Sequence, residues 1–126
     1  MSTILVNTLT GKTTAGNVTI TDGSVTMKLQ DGVAKCGSAH STDAVLDSGF
    51  NVSSITDNGT GTFSTNYTNN FSAADNVYSS TRFSTQTVGF TYIDAHSTSS
   101  HTVDTAGHAG DFQDKPVSSI VHGDLA

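Results

Sequence analysis

The sequence contains no glutamate, only five lysines and arginines together, and a single cysteine. One thiol cannot form a disulfide within the chain. So few basic residues argue against binding to a nucleic-acid backbone, which requires a basic face. The only apolar run near the N-terminus, residues 3–6, is far shorter than a signal-peptide core or a membrane span. We therefore expect a protein that is made in a cytoplasm, stays soluble and binds neither nucleic acid nor membrane.

Hydroxyl side chains are abundant instead, with 17 serines and 21 threonines among the 126 residues. Threonine, valine, phenylalanine and tyrosine favour pleated sheet, whereas good helix formers are scarce. The length fits one domain with one core. Short alternating segments separated by turn residues predict an all-β fold, an antiparallel β-sandwich or jelly-roll-like domain.

The strongest local signal is a hairpin within residues 50–71, FNVSSITDNGTGTFSTNYTNNF. Phe63, Thr65 and Tyr67 alternate with other residues, as in a strand that has one side buried. Asp, Asn and Gly in the connecting segment 57–61 tolerate the positive φ that a tight β-connection needs. The pattern predicts paired strands over residues 51–56 and 62–68.

Other alternating segments predict strands over residues 25–30, 33–38, 77–83, 87–94 and 117–123. Val88, Phe90 and Tyr92 share one face of their segment, and we expect this face to join the core. Residues 72–76, SAADN, suggest one helical turn. Cys36 is interpreted as a small packed side chain and not as a nucleophile.

The first 22 residues contain two short extended pieces separated by glycine-rich links. They have too little apolar surface to fold alone, so they must lie on the sheet of the same chain or on a neighbouring subunit. The sequence predicts an extended N-terminal attachment arm over residues 1–22 and a β-sandwich domain over residues 23–126. The residues expected to attach the arm to a particle are Ile4, Leu5, Val6, Leu9, Val18 and Ile20.

Residues 95–110, AHSTSSHTVDTAGHAG, are predicted to form a long loop with at most a short edge strand. His96, His101 and His108 lie in it among several aspartates, which suggests a metal site. Their spacing matches no zinc signature, however, so we expect a solvated loop without metal or cofactor. An exposed loop on a rigid β-scaffold is suited to receptor contact, which makes these histidines candidate receptor-facing residues.

No arrangement of residues points to catalysis. Serine and histidine occur so often that many Ser-His-Asp combinations can be drawn, and none lies in a nucleophile-elbow pattern. The segment GKTTAG at residues 11–16 lacks the lysine placement of a phosphate-binding loop. We therefore expect a protein that is not an enzyme.

Three blocks of the sequence carry a resemblance to a known family. They are STILVNTLTGKTTAGNVTI, VAKCGSAHSTDAVLDSGFNVSSITDNGTGTFSTNYTNNFSAADNVYSS and the closing SSIVHGDLA. Together they resemble small tail-fibre-like and other virion structural proteins of tailed bacteriophages, especially phages of marine bacteria. The most specific parts are FNVSSITDNGTGTF and VHGDLA. The resemblance implies a virion component, a homotrimer whose N-terminal arm attaches it to the particle.

We therefore expect a structural protein of the virion, assembled in the host cytoplasm. It could be a capsid decoration or cement protein, a head-fibre module or a tail-fibre module, and its partners would be other capsid or tail proteins. The alternative is the tip of a tail fibre that binds a host receptor or a host-surface glycan, with tyrosine side chains stacking on sugars.

Overall fold

The computed structural model describes Thr8 and residues 18–22, 24–82 and 89–126. Within these residues the chain forms ten β-strands and one short 3-10 helix. None of the described helical residues belongs to a helix that is long and apolar enough to cross a membrane. The chain divides into two compact units, the first ending at Val33 and the second spanning Ala34–Ala126. The predicted all-β fold is confirmed.

The first unit contains one antiparallel hairpin. Strand β1, Thr19–Asp22, pairs with β2, Val25–Lys28, and a 3-10 helix follows at Leu29–Gly32. The strand predicted to run to residue 30 ends at Lys28, directly before the 3-10 helix begins, although the Leu29 N–H still donates to the Val18 carbonyl across 2.6 Å. The boundary predicted between residues 22 and 23 lies between these two strands.

The second unit contains two four-stranded antiparallel sheets packed as a sandwich. Sheet I has the order β4 (Leu46–Phe50), β3 (Cys36–His40), β10 (Val117–His122), β7 (Val77–Arg82). Sheet II has the order β5 (Val52–Gly59), β6 (Thr62–Tyr67), β9 (Ser100–Ala106), β8 (Phe90–His96). The predicted sandwich is therefore confirmed, and each of its sheets has two edge strands.

The β5–β6 hairpin confirms the strongest prediction from the sequence. The Asp57 carboxylate accepts a hydrogen bond of 2.8 Å from the Gly59 N–H and so stabilises the turn. Gly61 has φ of +74°, and a Cβ there would lie 2.6 Å from the Thr105 carbonyl oxygen, so this position requires glycine. The side chains predicted to face the core are buried: Phe63, Thr65 and Tyr67.

An apolar cluster occupies one part of the interior. It contains Cys36, Tyr67, Phe71 and Val121, all at most 6% exposed. Burial raises the pKa of the Cys36 thiol to about 11, which leaves it protonated and unreactive at neutral pH. The interpretation of this cysteine as a packed side chain is confirmed.

Residues 95–110 do not form the predicted long loop. Strand β9 occupies much of this segment and lies between β6 and β8 in the middle of sheet II. Its inward face carries His101, Val103 and Thr105, each at most 1% exposed. Only one of these three is apolar, and hydrophobic alternation therefore does not reveal the strand.

The face predicted to be buried in the segment 87–94 is the exposed one. Phe90 and Tyr92 are 49% and 41% exposed, while Thr91 and Ile93 point inward and are partly buried. Thr91 accepts a hydrogen bond of 3.2 Å from the Ser80 hydroxyl of sheet I, so a polar contact joins the sheets here. The third residue of the predicted face, at position 88, lies outside the described residues.

Residues 72–76 form no helical turn. Phe71 pairs with Leu125 in an isolated β-bridge, and the Ser72 N–H donates to the Asp124 carbonyl across 2.8 Å. These bonds to the C-terminal residues satisfy the backbone in place of a helical turn.

Candidate functional site

The middle of the sandwich holds a hydrogen-bonded network of hydroxyl and imidazole groups. The Ser119 hydroxyl lies 2.8 Å from the Ser38 hydroxyl and 3.0 Å from Nε2 of His101. The other ring nitrogen, Nδ1 of His101, lies 2.9 Å from the Tyr67 hydroxyl, and Ser38 also approaches Thr65 at 3.4 Å. Members of the network come from both sheets, so these bonds join sheet I to sheet II.

Burial keeps this network uncharged at neutral pH. Desolvation, followed by the nearby imidazole of His40, lowers the pKa of His101 to about 4. Burial also raises the pKa of the Tyr67 hydroxyl, which therefore keeps its proton. A neutral imidazole offers one donor and one acceptor, and hydroxyl partners serve either role. Both ring nitrogens of His101 are thus satisfied.

The spacing of Ser119 and His101 is that of a nucleophile and its general base. The two residues are 3% and 1% exposed, however, so the hydroxyl and the imidazole are buried in the interior. The chemical role that this geometry supports is structural: the network holds the two sheets together through satisfied polar contacts.

The outer face of sheet I, which we call the groove face, carries a shallow groove of about 320 Å³. Its floor consists of small residues and its walls of larger apolar ones. Among the described residues no charged side chain lines the groove, whose residues are Gly37, Ser38, Ala39, Ser48, Gly49, Phe50, Ser118, Ser119 and Ile120.

The shape of the groove depends on Gly37. In the sheet register Gly37 lies between Phe50 of β4 and Ile120 of β10. A Cβ at this position would lie 2.6 Å from Cε1 of Phe50, so the absent side chain lets the ring lie close to the sheet. Phe50 and Ile120 nevertheless remain 52% and 45% exposed, which leaves an apolar strip on the surface.

The outer face of sheet II, which we call the ladder face, is organised differently. The Asn66 side-chain amide donates to the hydroxyls of Ser54 at 3.0 Å and Thr56 at 2.9 Å. The hydroxyls of Ser64 and Thr102 lie 2.9 Å apart. Polar groups on this face therefore satisfy one another in cross-strand pairs.

The predicted attachment residues lie in the N-terminal part of the chain. Val18 is partly buried and directly precedes β1, while Ile20 lies in β1 and is 49% exposed. Their attachment role stays a prediction. The others lie outside the described residues: Ile4, Leu5, Val6 and Leu9.

The three candidate receptor-facing histidines have different surroundings. His96 is exposed at the end of β8, where its ring stacks with Tyr78 at a centroid distance of 5.4 Å. His101 is buried in the network, so it does not face outward. His108 is exposed in the turn after β9. In the part of the chain that the structure describes, no three potential metal ligands form a group.

Sequence reasoning placed Thr65 and Tyr67 of the network in the interior but missed its other members. Ser119 could have been placed correctly, because it shares the alternating face of β10 with Val117 and Val121, which are both buried. No comparable signal marks His101 or Ser38, since neighbouring serines and threonines fit either face equally well.

Comparison with known proteins gives no relative for this chain. No protein-family description, no curated protein and no solved structure matches it. The two outer faces and the buried network are therefore interpreted from their own geometry and chemistry.

Proposed function

We propose that this chain is a structural protein of a bacteriophage particle. It forms a short homotrimeric β-sandwich module that decorates or cements a capsid, or belongs to a head fibre or tail fibre. Residues 1–22 anchor it to other virion proteins, and it carries out no catalysis. The phage assignment rests on the resemblance of the three sequence blocks, and the observation that supports an assembly role is the groove face.

Charge favours the groove face as the contact between copies. The chain carries a formal net charge of −6, so copies of it repel one another over most of their surface. The residues that line the groove carry no charge, and repulsion is weakest there. Covering the exposed parts of Phe50 and Ile120 would contribute on the order of 2 kcal/mol per copy.

The shape of the face suits contact with an edge of another copy, which is a different surface. Small residues in the floor, Gly37, Ala39 and Ser118, allow a neighbouring chain to approach closely. Phe50 lies on the edge strand β4 and is 52% exposed, so its ring can contact the groove of the next copy. Such a head-to-tail contact closes into a ring when three copies surround a threefold axis.

The particle role is tested on purified virions of the phage that encodes the chain. We expect cryo-electron microscopy to locate density for the sandwich on the capsid or tail, in groups of three copies. A virion assembled with a chain that lacks residues 1–22 should have lost this density, although the isolated truncated chain stays folded by circular dichroism. Normal incorporation of the truncated chain would contradict anchoring by the N-terminal residues, and absence of the full chain from virions would contradict the phage assignment.

A further inference from the structure

We propose that the end of the ladder face around Phe90, Tyr92 and Asp104 is a binding site for a neutral pyranose sugar. The site lies on sheet II, and the groove face lies on the outer side of sheet I. The inference therefore goes beyond the assembly role and does not depend on it.

The sheet register brings aromatic and acidic side chains together at this place. Two rows of side chains cross neighbouring strands on the outer face: Phe112–Ala106–Phe90 and Thr62–Asp104–Tyr92. Neighbouring strands are about 4.8 Å apart, so the two phenylalanines flank Ala106 at a backbone separation of about 10 Å. The rings of Phe90 and Tyr92 have centroids 6.4 Å apart.

Three aromatic side chains are unusually exposed here. Phe90, Phe112 and Tyr92 are 49%, 48% and 41% exposed, although each presents a large apolar surface. The C–H face of a pyranose ring is apolar and flat, and it packs favourably on such exposed rings. The aromatic residues thus supply the stacking surface of a sugar site.

Asp104 supplies the polar part of the site. This residue is only 5% exposed, and its Oδ1 has no hydrogen-bond partner among the described residues. A buried acceptor without a donor destabilises the unbound protein. A ligand that donates a hydrogen bond to Oδ1 removes this cost, which favours binding. A sugar hydroxyl is such a donor. A cation is less suitable, because Asp104 belongs to no group of three potential metal ligands in the described part of the chain.

Tyr92 lies beside this carboxylate, because it is the cross-strand partner of Asp104 in the pairing of β8 with β9. Burial, followed by a hydrogen bond with Asp104, raises the pKa of the Tyr92 hydroxyl. In this proposal the Tyr92 ring, which is 41% exposed, turns outward when a sugar binds and uncovers Oδ1 of Asp104. In the bound state the sugar then stacks on the aromatic rings while one of its hydroxyls donates to Oδ1.

The charge of the site selects the kind of sugar. Asp94 also acts electrostatically on Tyr92, so at least two carboxylates lie near the stacking surface. An anionic sugar such as a sialic acid or a uronic acid would be repelled, whereas a neutral hexose or N-acetylhexosamine would not. The ligand class is therefore neutral pyranoses.

The full chain can be tested on an array of neutral hexose, N-acetylhexosamine and sialylated oligosaccharides. An NMR titration with the strongest binder would then measure the affinity of a single site. We expect binding to neutral members only, and we expect Phe90→Ala and Tyr92→Ala to weaken it at least tenfold. Asp104→Asn keeps the size of the side chain but changes its acceptors, and it should weaken binding similarly.

Phe50→Ala is the matched control, because it removes an exposed aromatic ring from the groove face. It should leave the single-site affinity unchanged even if it dissociates a trimer, which separates this inference from the proposed assembly. The proposal is overturned if no neutral oligosaccharide binds at millimolar concentration, if sialylated members bind best, or if the Phe90 and Tyr92 variants bind like the unmodified chain.

Discussion

The two outer faces of the sandwich have similar hydroxyl-rich compositions but different organisation. On the groove face, small residues such as Gly37 and Ala39 form a floor beside Phe50 and Ile120, and no charge lines the groove. On the ladder face, serine, threonine and asparagine side chains bond to one another across strands. The first face leaves apolar surface for a partner, whereas the second satisfies most of its own polar groups.

This difference explains how a narrow set of residue types can support distinct surfaces. The Ser118 hydroxyl lines the groove and donates to the Ser38 backbone carbonyl at 3.2 Å, whereas the Ser64 hydroxyl pairs with the hydroxyl of Thr102. The function of a serine here depends on its neighbours and not on its own chemistry. A few larger side chains then decide what each face can bind, chiefly Phe50 on one face and Phe90 and Tyr92 on the other.

The largest expected difference between the two faces comes from replacing one exposed phenylalanine on each of them. Phe50→Ser removes the ring that lines one side of the groove, and we expect self-association to weaken at least tenfold. Phe90→Ser makes the same chemical change on the ladder face, where the side chain is similarly exposed, and should leave association unchanged. Sedimentation velocity over a concentration series measures both. Equal effects of the two variants would break the distinction between the faces.

Acid should lower the free energy of unfolding, because buried histidines lie in the interior between the two sheets. An unfolded histidine titrates near pH 6.5, whereas the pKa of buried His101 is about 4. As the pH falls, the unfolded chain therefore binds the proton first, and stability declines between about pH 6.5 and about pH 4. The separation corresponds to a loss of about 3 kcal/mol. The pKa of His40 is also lowered, mainly by burial, and adds a change of the same sign.

Urea unfolding at several pH values between 7 and 4 measures this decline. His108→Gln serves as the control, because His108 is exposed and its replacement should leave the pH profile unchanged. A free energy of unfolding that stays constant over this range would show that His101 is not held neutral in the interior.

The smallest expected effect is the difference in stability between two serine variants, one on the inner side and one on the outer side of β10. Ser119→Ala removes a hydroxyl that bonds to Ser38 and His101, so we expect a loss of about 1–2 kcal/mol in the free energy of unfolding. Ser118→Ala makes the same change one residue earlier on the groove face, where the partly buried hydroxyl donates to the Ser38 carbonyl, and should cost less, at most about 1 kcal/mol. Thermal or urea unfolding compares the two. A larger loss from the Ser118 variant would contradict the assignment of the faces.

The sequence predicts this fold best where local chemistry and burial agree. The β5–β6 hairpin was predictable because Asp57 and Gly61 favour the turn and Phe63 and Tyr67 mark the buried face. Strand β10 was predictable for a similar reason, since Val117 and Val121 alternate with exposed or partly exposed residues.

The prediction fails where the buried face is polar. His101 and Thr105 point inward from β9. Because both are polar, the search for alternating apolar residues predicts a loop here and not a strand. In β8 the aromatic residues Phe90 and Tyr92 point outward, so the same rule chose the wrong face. Cross-strand partners such as Ser119 make the polar interior stable, and these partners are distant in sequence. The site around Asp104 likewise depends on strand pairing that the sequence alone does not specify.

The most direct test of the account is the mass of the unmodified chain in solution at micromolar concentration. If the groove joins three copies as proposed, multi-angle light scattering gives about 39 kDa, three times the chain mass of 13.0 kDa. A mass of 13.0 kDa across the accessible concentrations would mean that the groove face does not join copies of the chain.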